Sequence, residues 1–235
     1  MILVDMNQIS MASMMMHLHL NKSKEIDEKM VRHMILNSLR MYRTRFSSEF
    51  GELVLCYDSK HYWRRDYFPQ YKFGRKKSRE KSDHNWEAIF SCLNQIKDEL
   101  KENMPYKFVE VYGAEADDII GTLCSEYSDE IMILSGDKDF IQLQKYPNVK
   151  QYSPITKNMI NGKSPDNFLK EHIFKGDTSD GIPNVLSPDN TFTDGLRQKP
   201  LGKKKISSWI EHHFEDVAPN EEVKRNYQRN RKLID

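Results

Sequence analysis

The chain has 235 residues, which suits one domain of ordinary size, and its 36 basic and 35 acidic side chains leave a net charge of +1 that indicates no class of partner. Hydrophobic residues make up 38% and aromatic residues 11% of the chain, which supports a folded core and argues against general disorder. The three cysteines are widely spaced, which argues against a disulfide framework or a zinc knuckle. No apolar run approaches the roughly 20 residues of a membrane span, and the first ten residues lack the basic flank of a signal peptide. We therefore expect a cytoplasmic protein.

Short apolar runs alternate with segments of helical periodicity along the first 150 residues. In chain order they predict a strand at 2–4, a helix at 25–46, a strand at 53–57, a helix at 85–103, a strand at 108–111, a helix at 114–127, a strand at 131–134, a short helix around 140–143 and a weaker strand at 149–152. The rest differs in character. Residues 186–202 are rich in Pro, Gly, Asp and Thr and predict a loop, and two short polar helices follow at 203–214 and 220–233.

This alternation predicts an α/β fold with a mostly parallel central sheet flanked by helices, because strands joined by helical crossovers pair in parallel. Ligands of such sheets bind beyond the carboxyl ends of the strands. Asp5 and Asp58 follow their predicted strands directly, and Asp137 comes three residues after another. We therefore expect these three carboxylates to meet at one edge of the sheet.

Six further acids lie in short motifs after the predicted strands or near helix starts. They are Glu115, Asp117 and Asp118 in GAEADDIIG, Asp139 in SGDKDF, and Asp177 and Asp180 in KGDTSDGIPN. Each motif alone has an ordinary structural explanation, since Asp is a common turn former and acids favour the first turn of a helix.

The nine acids together are harder to explain as turns and caps. Two unit charges about 4 Å apart repel by about 4 kcal/mol at an effective dielectric constant of 20, so such a cluster requires cations. Oxygen ligands favour Mg²⁺ or Mn²⁺ over zinc. With a phosphate substrate, this pattern indicates phosphoryl transfer assisted by two metal ions.

Residues 59–85, called the basic segment below, interrupt the strand–helix alternation. Nine basic and two acidic residues between positions 60 and 81 give it a net charge of about +7, and six aromatic residues lie among them. Basic groups bind phosphates, and aromatic rings offer faces to unpaired bases. A solvated basic loop is the alternative, but the aromatic residues favour nucleic acid.

The motifs YGAEADDIIGTL, LSGDKDFIQL, KGDTSDGIPNV and FPQYKFGR, together with Asp5 and Asp58, resemble the 5′-nuclease/flap endonuclease superfamily over roughly residues 1–185. MVRHMILNSLR, YWRRD and QKYPNVKQYSP favour, within it, the ribonuclease H group of T4-type bacteriophages. The resemblance implies a PIN-like nuclease core at 1–185, with the basic segment inserted as a helical arch threaded by single-stranded DNA. It also implies a C-terminal helical region at 186–235 that binds duplex DNA.

The resemblance further implies two Mg²⁺ sites, with Mn²⁺ as a substitute. One involves Asp5, Asp58, Glu115 and Asp117, with Asp137 at or near the shared position, and the other involves Asp118, Asp139, Asp177 and Asp180. Asp58, Asp137, Lys72 and Arg75 are the expected catalytic residues. Lys72 and Arg75 also belong to the expected DNA contacts, with Arg64, Arg65, Tyr71, Lys76, Lys77, Arg79, Lys203, Lys204 and Lys205. Packing is the alternative for Tyr71.

Family members cleave DNA, and RNA primers on DNA, from the 5′ end or at the branch of a 5′ flap. The resemblance therefore implies a 5′–3′ exonuclease and flap endonuclease of phage replication, acting as a monomer in the host cytoplasm, with single-strand-binding protein and sliding clamp as partners. The glycines of the family's helix–hairpin–helix are not in order after Val185, which argues against a potassium ion, and the chain ends where T4-type relatives continue. Two alternatives stay open: a topoisomerase-primase type acidic domain, and a structure-specific DNA-binding protein without activity.

Overall fold

The computed structural model describes residues 1–21, 25–212 and 214–235, without the side chain of Glu215. These residues form two compact units. The first comprises Met1–Tyr62 and Asp83–Asn161, and the second comprises Trp63–Ser82 and Gly162–Asp235. The predicted division into a nuclease core at 1–185 and a region at 186–235 stays a prediction.

The first unit contains a six-stranded sheet. Its strands are β1 (Ile2–Asp5), β2 (Leu53–Tyr57), β3 (Lys107–Glu110), β4 (Ile131–Leu134), β5 (Val149–Ser153) and β6 (Asn158–Ile160). The order across the sheet is β3-β2-β1-β4-β5-β6, with five parallel strands and an antiparallel β6 at one edge. This confirms the predicted mostly parallel sheet. The short β6 was not predicted from the sequence.

Helices account for most of the remaining elements. They are α1 (Met6–Leu20), α2 (Glu28–Phe50), α3 (Trp63–Tyr67), α4 (Phe73–Glu80), α5 (Trp86–Asn103), α6 (Ala116–Glu126), α7 (Pro165–Lys175), α8 (Lys203–Glu211), α9 (Phe214–Val217) and α10 (Glu221–Ile234), with a 3₁₀ helix at Lys138–Lys145. The sequence did not predict α1 or α7. Across the three described stretches of chain, no helix combines the length and apolar character needed to cross a membrane.

The central strands are buried on both faces, and their side chains alternate between two apolar clusters. Ile2 and Val4 face a cluster that contains the buried residues of α1, α2 and α5. Leu3 faces a cluster built from α6 and the 3₁₀ helix. Parallel strands with both faces covered are accordingly apolar throughout, as β1 and β4 are before their carboxyl ends.

The second unit has its own apolar cluster around Phe174 at the end of α7. The ring centroid of Phe174 lies 5.3 Å from that of Trp209, 4.9 Å from that of Phe214 and 5.5 Å from that of Tyr227. These partners belong to α8, α9 and α10, so one aromatic side chain joins four helices.

The predicted loop at 186–202 is folded back by polar side chains that mostly lie outside it. Asn184 Nδ2 donates to the carbonyl of Lys199 (2.8 Å), and Asn184 Oδ1 accepts from Ser187 Oγ (2.9 Å) and from the Leu186 amide (3.0 Å). Asn226 of α10 donates to the carbonyls of Val185 and Ser187 (3.1 and 3.2 Å). These bonds supply the order that the loop's composition did not predict.

Candidate metal and nucleic-acid site

Three of the predicted carboxylates lie at the carboxyl ends of three adjacent strands in the first unit. Asp5 is the last residue of β1, which lies between β2 and β4 in the sheet. Asp58 directly follows β2, and Asp137 comes three residues after β4. The parallel topology therefore brings together at one sheet edge residues that are up to 132 positions apart in the chain.

Asp5 is the most perturbed of these acids. Its side chain is only 7% exposed and accepts hydrogen bonds from the Gln8 amide (3.1 Å) and from Ser135 Oγ (2.9 Å). The pKa of Asp5 is raised to about 6, chiefly by burial and also by the negative charges of Asp58 and Asp137, and the two hydrogen bonds only partly oppose this shift. Among the described residues, the charges that act on Asp5 are those of Asp58 and Asp137, so its ionised form lacks positive compensation there.

A second group of acids surrounds the start of α6. Asp58 Oδ1 accepts a hydrogen bond from the Ala116 amide (2.7 Å), which ties the end of β2 to this helix. Glu115 and Asp118 form a capping box, in which Asp118 Oδ2 accepts from the Glu115 amide (2.8 Å). Glu115 is only 1% exposed, and Asp117 lies in the first turn of the helix. These acids thus cap a helix next to the edge that carries Asp5.

Asp137 lies on the loop after β4, and Asp139 lies in the first turn of the 3₁₀ helix that follows it. Asp137 caps the 3₁₀ helix by accepting from the Asp139 amide (3.0 Å). Gln8 Oε1 accepts from the Gly136 amide (2.5 Å), and Gln151 Nε2 donates to the carbonyls of Ser135 (2.9 Å) and Asp137 (2.6 Å).

The sequence did not predict these supporting residues. Gln151 is a fully buried amide in β5, but β5 also contains Lys150 and Ser153, so its polarity alone gave no signal. Ser135 lies within the SGDKD motif.

Asp177 and Asp180 lie in the second unit, on the loop that follows α7. Asp177 Oδ1 accepts from the amide and hydroxyl of Ser179 (both 2.7 Å), and Asp177 Oδ2 lies 3.6 Å from His172 Nε2. Burial alone would raise the pKa of Asp177, but the contacts with His172 and Ser179 hold it far below its ordinary value. Asp177 is therefore a carboxylate whose charge is already balanced.

Asp180 contacts the two basic residues that the sequence assigned to catalysis. Its carboxylate accepts from Tyr71 OH (2.9 Å) and Arg75 Nη2 (2.6 Å) and lies 3.6 Å from Lys72 Nζ. Lys72 is 6% exposed and Tyr71 3% exposed, so both side chains are packed. The packing alternative for Tyr71 is the one that this geometry favours.

The backbone enforces the contact between the basic segment and this loop. The Lys72 amide donates to the Asp180 carbonyl (2.7 Å), and Lys72 has a left-handed φ of 56°. Gly181 has a φ of 74°, and a Cβ atom there would lie 3.0 Å from the Gln70 carbonyl oxygen. A side chain at position 181 would therefore push the two segments apart.

The other predicted DNA contacts differ in exposure. Arg64 is buried, and its Nε donates to the Leu233 carbonyl (2.9 Å). Arg65, Lys76 and Lys77 are exposed and Arg79 is partly exposed. Lys203, Lys204 and Lys205 form the exposed first turn of α8, where positive charge opposes the helix dipole. Lys205 Nζ lies over the Trp209 ring of the same helix (4.9 Å to the centroid), so part of this placement serves packing. The three exposed lysines also suit an anionic ligand, and all these contacts stay predictions.

Polar residues of α10 hold the loop after α7 in place. Asn230 Nδ2 donates to the carbonyls of Ile173 (2.8 Å) and Pro183 (2.9 Å), and Arg229 Nη2 also donates to the Pro183 carbonyl (2.9 Å). Both side chains are buried. The sequence did not identify them, because α10 is polar on most of its surface and its partners lie more than 40 residues away.

Comparison with known proteins identifies the family of the chain. Residues 1–172 match the model of the family described as 5′-3′ exonuclease, N-terminal resolvase-like domain. The chain is 37% identical to ribonuclease H of Enterobacteria phage T4 over 247 residues, which cover 99% of this chain and 80% of that protein. It is 30% identical to a 5′-3′ exonuclease of Buchnera aphidicola over 145 residues, 57% of this chain and 48% of that one.

Solved structures share the fold. A bacteriophage T5 protein co-crystallised with metal ions superposes with a TM-score of 0.73 at 15% identity, covering 100% of this chain and 88% of that one. A bacteriophage T5 flap endonuclease in complex with DNA and metal ions gives a TM-score of 0.71 at 16% identity, with the same coverage. The resemblance seen in the motifs is confirmed: the chain belongs to the 5′-3′ exonuclease family with the N-terminal resolvase-like domain, a family of hydrolytic nucleases.

Proposed function

We propose that the protein is a Mg²⁺-dependent 5′–3′ exonuclease and flap endonuclease that hydrolyses phosphodiesters of DNA, and of RNA primers on DNA, by a two-metal mechanism. The observation that carries this proposal is the group of Asp5, Asp58 and Asp137 at adjacent strand ends, with the pKa of Asp5 raised to about 6 by burial and by the other two charges. The names of the relatives, a ribonuclease H, a 5′-3′ exonuclease and a flap endonuclease, support the reaction class.

The acids of the first unit fit a hard divalent cation. Their donor atoms are carboxylate oxygens, which suit Mg²⁺ or Mn²⁺. Asp5 is buried beside two further acids and already accepts two hydrogen bonds, yet its pKa stays raised. A cation would remove this electrostatic penalty, and Asp5, Asp58, Glu115 and Asp137 are the residues we propose to hold it.

Bound Mg²⁺ supplies an activated water and positive charge beside the scissile phosphate. The protein's own contribution is rigid placement: the Gln8, Ser135 and Gln151 hydrogen bonds fix the acids. In the second unit we assign Lys72 and Arg75 to stabilisation of negative charge on a substrate phosphate. Both form ion pairs with Asp180, and a bound substrate phosphate would replace part of the negative charge that this carboxylate now supplies.

We further propose branched or 5′-ended DNA and RNA–DNA hybrids as substrates in phage replication. The exposed lysines in the first turn of α8 suit a duplex phosphate backbone, since cationic side chains there oppose the helix dipole. Support for a phage role comes from the T4 relative, of which the chain spans 80%. The chain spans only about half of the Buchnera and Shewanella relatives.

The test is cleavage of a 5′-labelled flap DNA with and without Mg²⁺, using the wild type, Asp137→Asn and Asp129→Asn. Asp137 follows the carboxyl end of β4, and Asp129 precedes its amino end, so the two variants make the same chemical change at opposite edges. We expect Mg²⁺-dependent release of 5′ products, at least about a 100-fold loss in Asp137→Asn and no loss in Asp129→Asn.

Two results would contradict the proposal. Tight DNA binding without cleavage at any Mg²⁺ or Mn²⁺ concentration would indicate a DNA-binding protein without activity. Cleavage that ignores the position of the 5′ end would indicate another class of metal-dependent phosphoryl transfer.

A further inference from the structure

We infer that Tyr112 and His61 form a platform on which a nucleobase of the substrate stacks, next to the phosphate at the acidic edge of the first unit. The inference rests on the proposed function and assigns it a base-binding subsite. It starts from an aromatic pair at the surface: the two ring centroids lie 5.5 Å apart and their planes differ by 16°. This is the geometry of an offset stack.

Tyr112 contributes little to the packing of the fold. Its side chain is 86% exposed, the highest exposure among the large hydrophobic residues that the structure describes as exposed. One ring face rests on His61, and an exposure this high leaves the other face open to solvent. A planar, apolar ligand can therefore extend the stack by one layer without any rearrangement of the protein.

Backbone hydrogen bonds hold the two rings in register with each other. Ser59 Oγ accepts from the amides of His61 and Gly113 (both 3.3 Å), and the Ser59 amide donates to the Ala114 carbonyl (2.9 Å). A parallel bridge between Tyr62 and Gly113 extends the pairing of β2 with β3. The segments that carry His61 and Tyr112 are thus a continuation of the sheet.

The same two segments end in predicted metal ligands. Asp58 directly precedes Ser59, and Glu115 directly follows Ala114. Tyr112 is three residues from Glu115 and His61 is three residues from Asp58, a span of at most about 10 Å of extended chain. That distance matches a base attached to the nucleotide whose phosphate lies at the acids.

The chemistry of the platform predicts how it discriminates among nucleotides. Stacking on a ring face is tolerant of sequence because every base has a π face. We therefore expect the platform to favour an unpaired base at this position, without preference for its identity.

The experiment measures binding, so that it does not depend on catalysis. The dissociation constant of a 5′-flap DNA is measured in EDTA by fluorescence anisotropy for the wild type, Tyr112→Ala and Tyr112→Phe. The series is repeated with two further DNAs, each lacking one base: the first is abasic on the 5′ side of the cleavage position and the second on its 3′ side. Tyr127→Ala is the matched control, because Tyr127 is also exposed in this unit but follows the opposite end of α6.

We expect Tyr112→Ala to weaken binding of the intact DNA by at least about fivefold, the lower range for loss of one base–aromatic stack, and Tyr112→Phe and Tyr127→Ala to change it by less than about twofold. One abasic position should abolish the effect of Tyr112→Ala, because no base is left to stack. An equal effect on intact and abasic DNA at every position, or no effect at all, overturns the platform. If either of these two contradicting results is found and the wild type still cleaves the flap in Mg²⁺, only the platform fails. If the wild type does not cleave the flap, the proposed function fails.

Discussion

Replacing Asp5 by Asn should stabilise the protein in the absence of divalent metal while greatly reducing the stabilisation that the metal provides. In the folded state the pKa of Asp5 is raised from 3.8 to about 6, chiefly by burial and further by Asp58 and Asp137. Above both values the ionised carboxylate therefore opposes folding. Asn has the same shape, carries no charge, and can still accept the hydrogen bond from the Gln8 amide.

The size of the effect follows from the pKa shift. A shift of about two units corresponds to about 3 kcal/mol of penalty on the charged form. Asn loses part of this gain, because its amide must donate to Ser135 Oγ, which now donates to Asp5, and because neutral hydrogen bonds are weaker than charged ones. We therefore expect a net gain of about 1 to 2 kcal/mol, or a rise in Tm of roughly 2 to 8 °C for a chain of this size.

The pH dependence identifies the cause. Below pH 3.8 Asp5 is protonated in both the folded and unfolded states, so its charge does not lower the free energy of unfolding there. The free energy of unfolding falls as the pH rises through about 6, where Asp5 becomes ionised in the folded state as well. The difference in Tm between Asp5→Asn and the wild type should thus be small near pH 4 and largest above pH 7. Asp129→Asn is the matched control and should show no such dependence.

Thermal unfolding by circular dichroism, with EDTA or with millimolar Mg²⁺, is the measurement. Mg²⁺ should raise the Tm of the wild type, because it binds only the folded state, and should raise that of Asp5→Asn much less. A variant less stable than the wild type at pH 7.5, with a Tm difference independent of pH, would refute the claim that Asp5 carries an uncompensated charge.

Three further outcomes follow from the second unit. Gly176→Ala should destabilise the protein by more than about 3 kcal/mol in urea unfolding, because φ is +65° and a Cβ atom would overlap the carbonyl of Ile182. Asn226→Ala should cost about 2 kcal/mol in the same assay, since it removes the side-chain amide that donates to the buried carbonyls of Val185 and Ser187. Lys72→Ala should slow single-turnover cleavage by at least about 100-fold and change the dissociation constant for DNA by less than about threefold; equal losses in both would make Lys72 a simple phosphate contact.

The sheet and its acidic edge could be predicted because the information is local. An apolar run followed by Asp identifies a strand end at positions 5 and 58, and helical crossovers force the strands to be parallel. The topology then determines that the ends meet. The meeting of the strand ends could therefore be predicted without knowledge of any particular long-range contact.

The second unit could not be predicted in the same way. The charges of Lys72, Arg75 and Asp180 are visible in the sequence, but whether the cations face a phosphate or a carboxylate depends on partners about 105 residues apart. Helix α7 was missed although Ser164 followed by Pro165 is a typical helix start and Phe168, Leu169, Ile173 and Phe174 supply an apolar face.

The acids of the first unit also cap helices, and this dual role does not weaken the case for a cation. Asp5 caps α1, and a capping carboxylate that only served the helix would have a lowered pKa, since amide donors and the helix dipole favour its charge. Asp177 shows that behaviour: it too is partly buried, yet His172 and Ser179 hold its pKa down. Asp5 behaves in the opposite way despite its own hydrogen bonds, because it is more deeply buried and the nearby charges of Asp58 and Asp137 are also negative. Capping alone therefore does not account for Asp5, whereas a bound divalent cation would supply the missing positive charge.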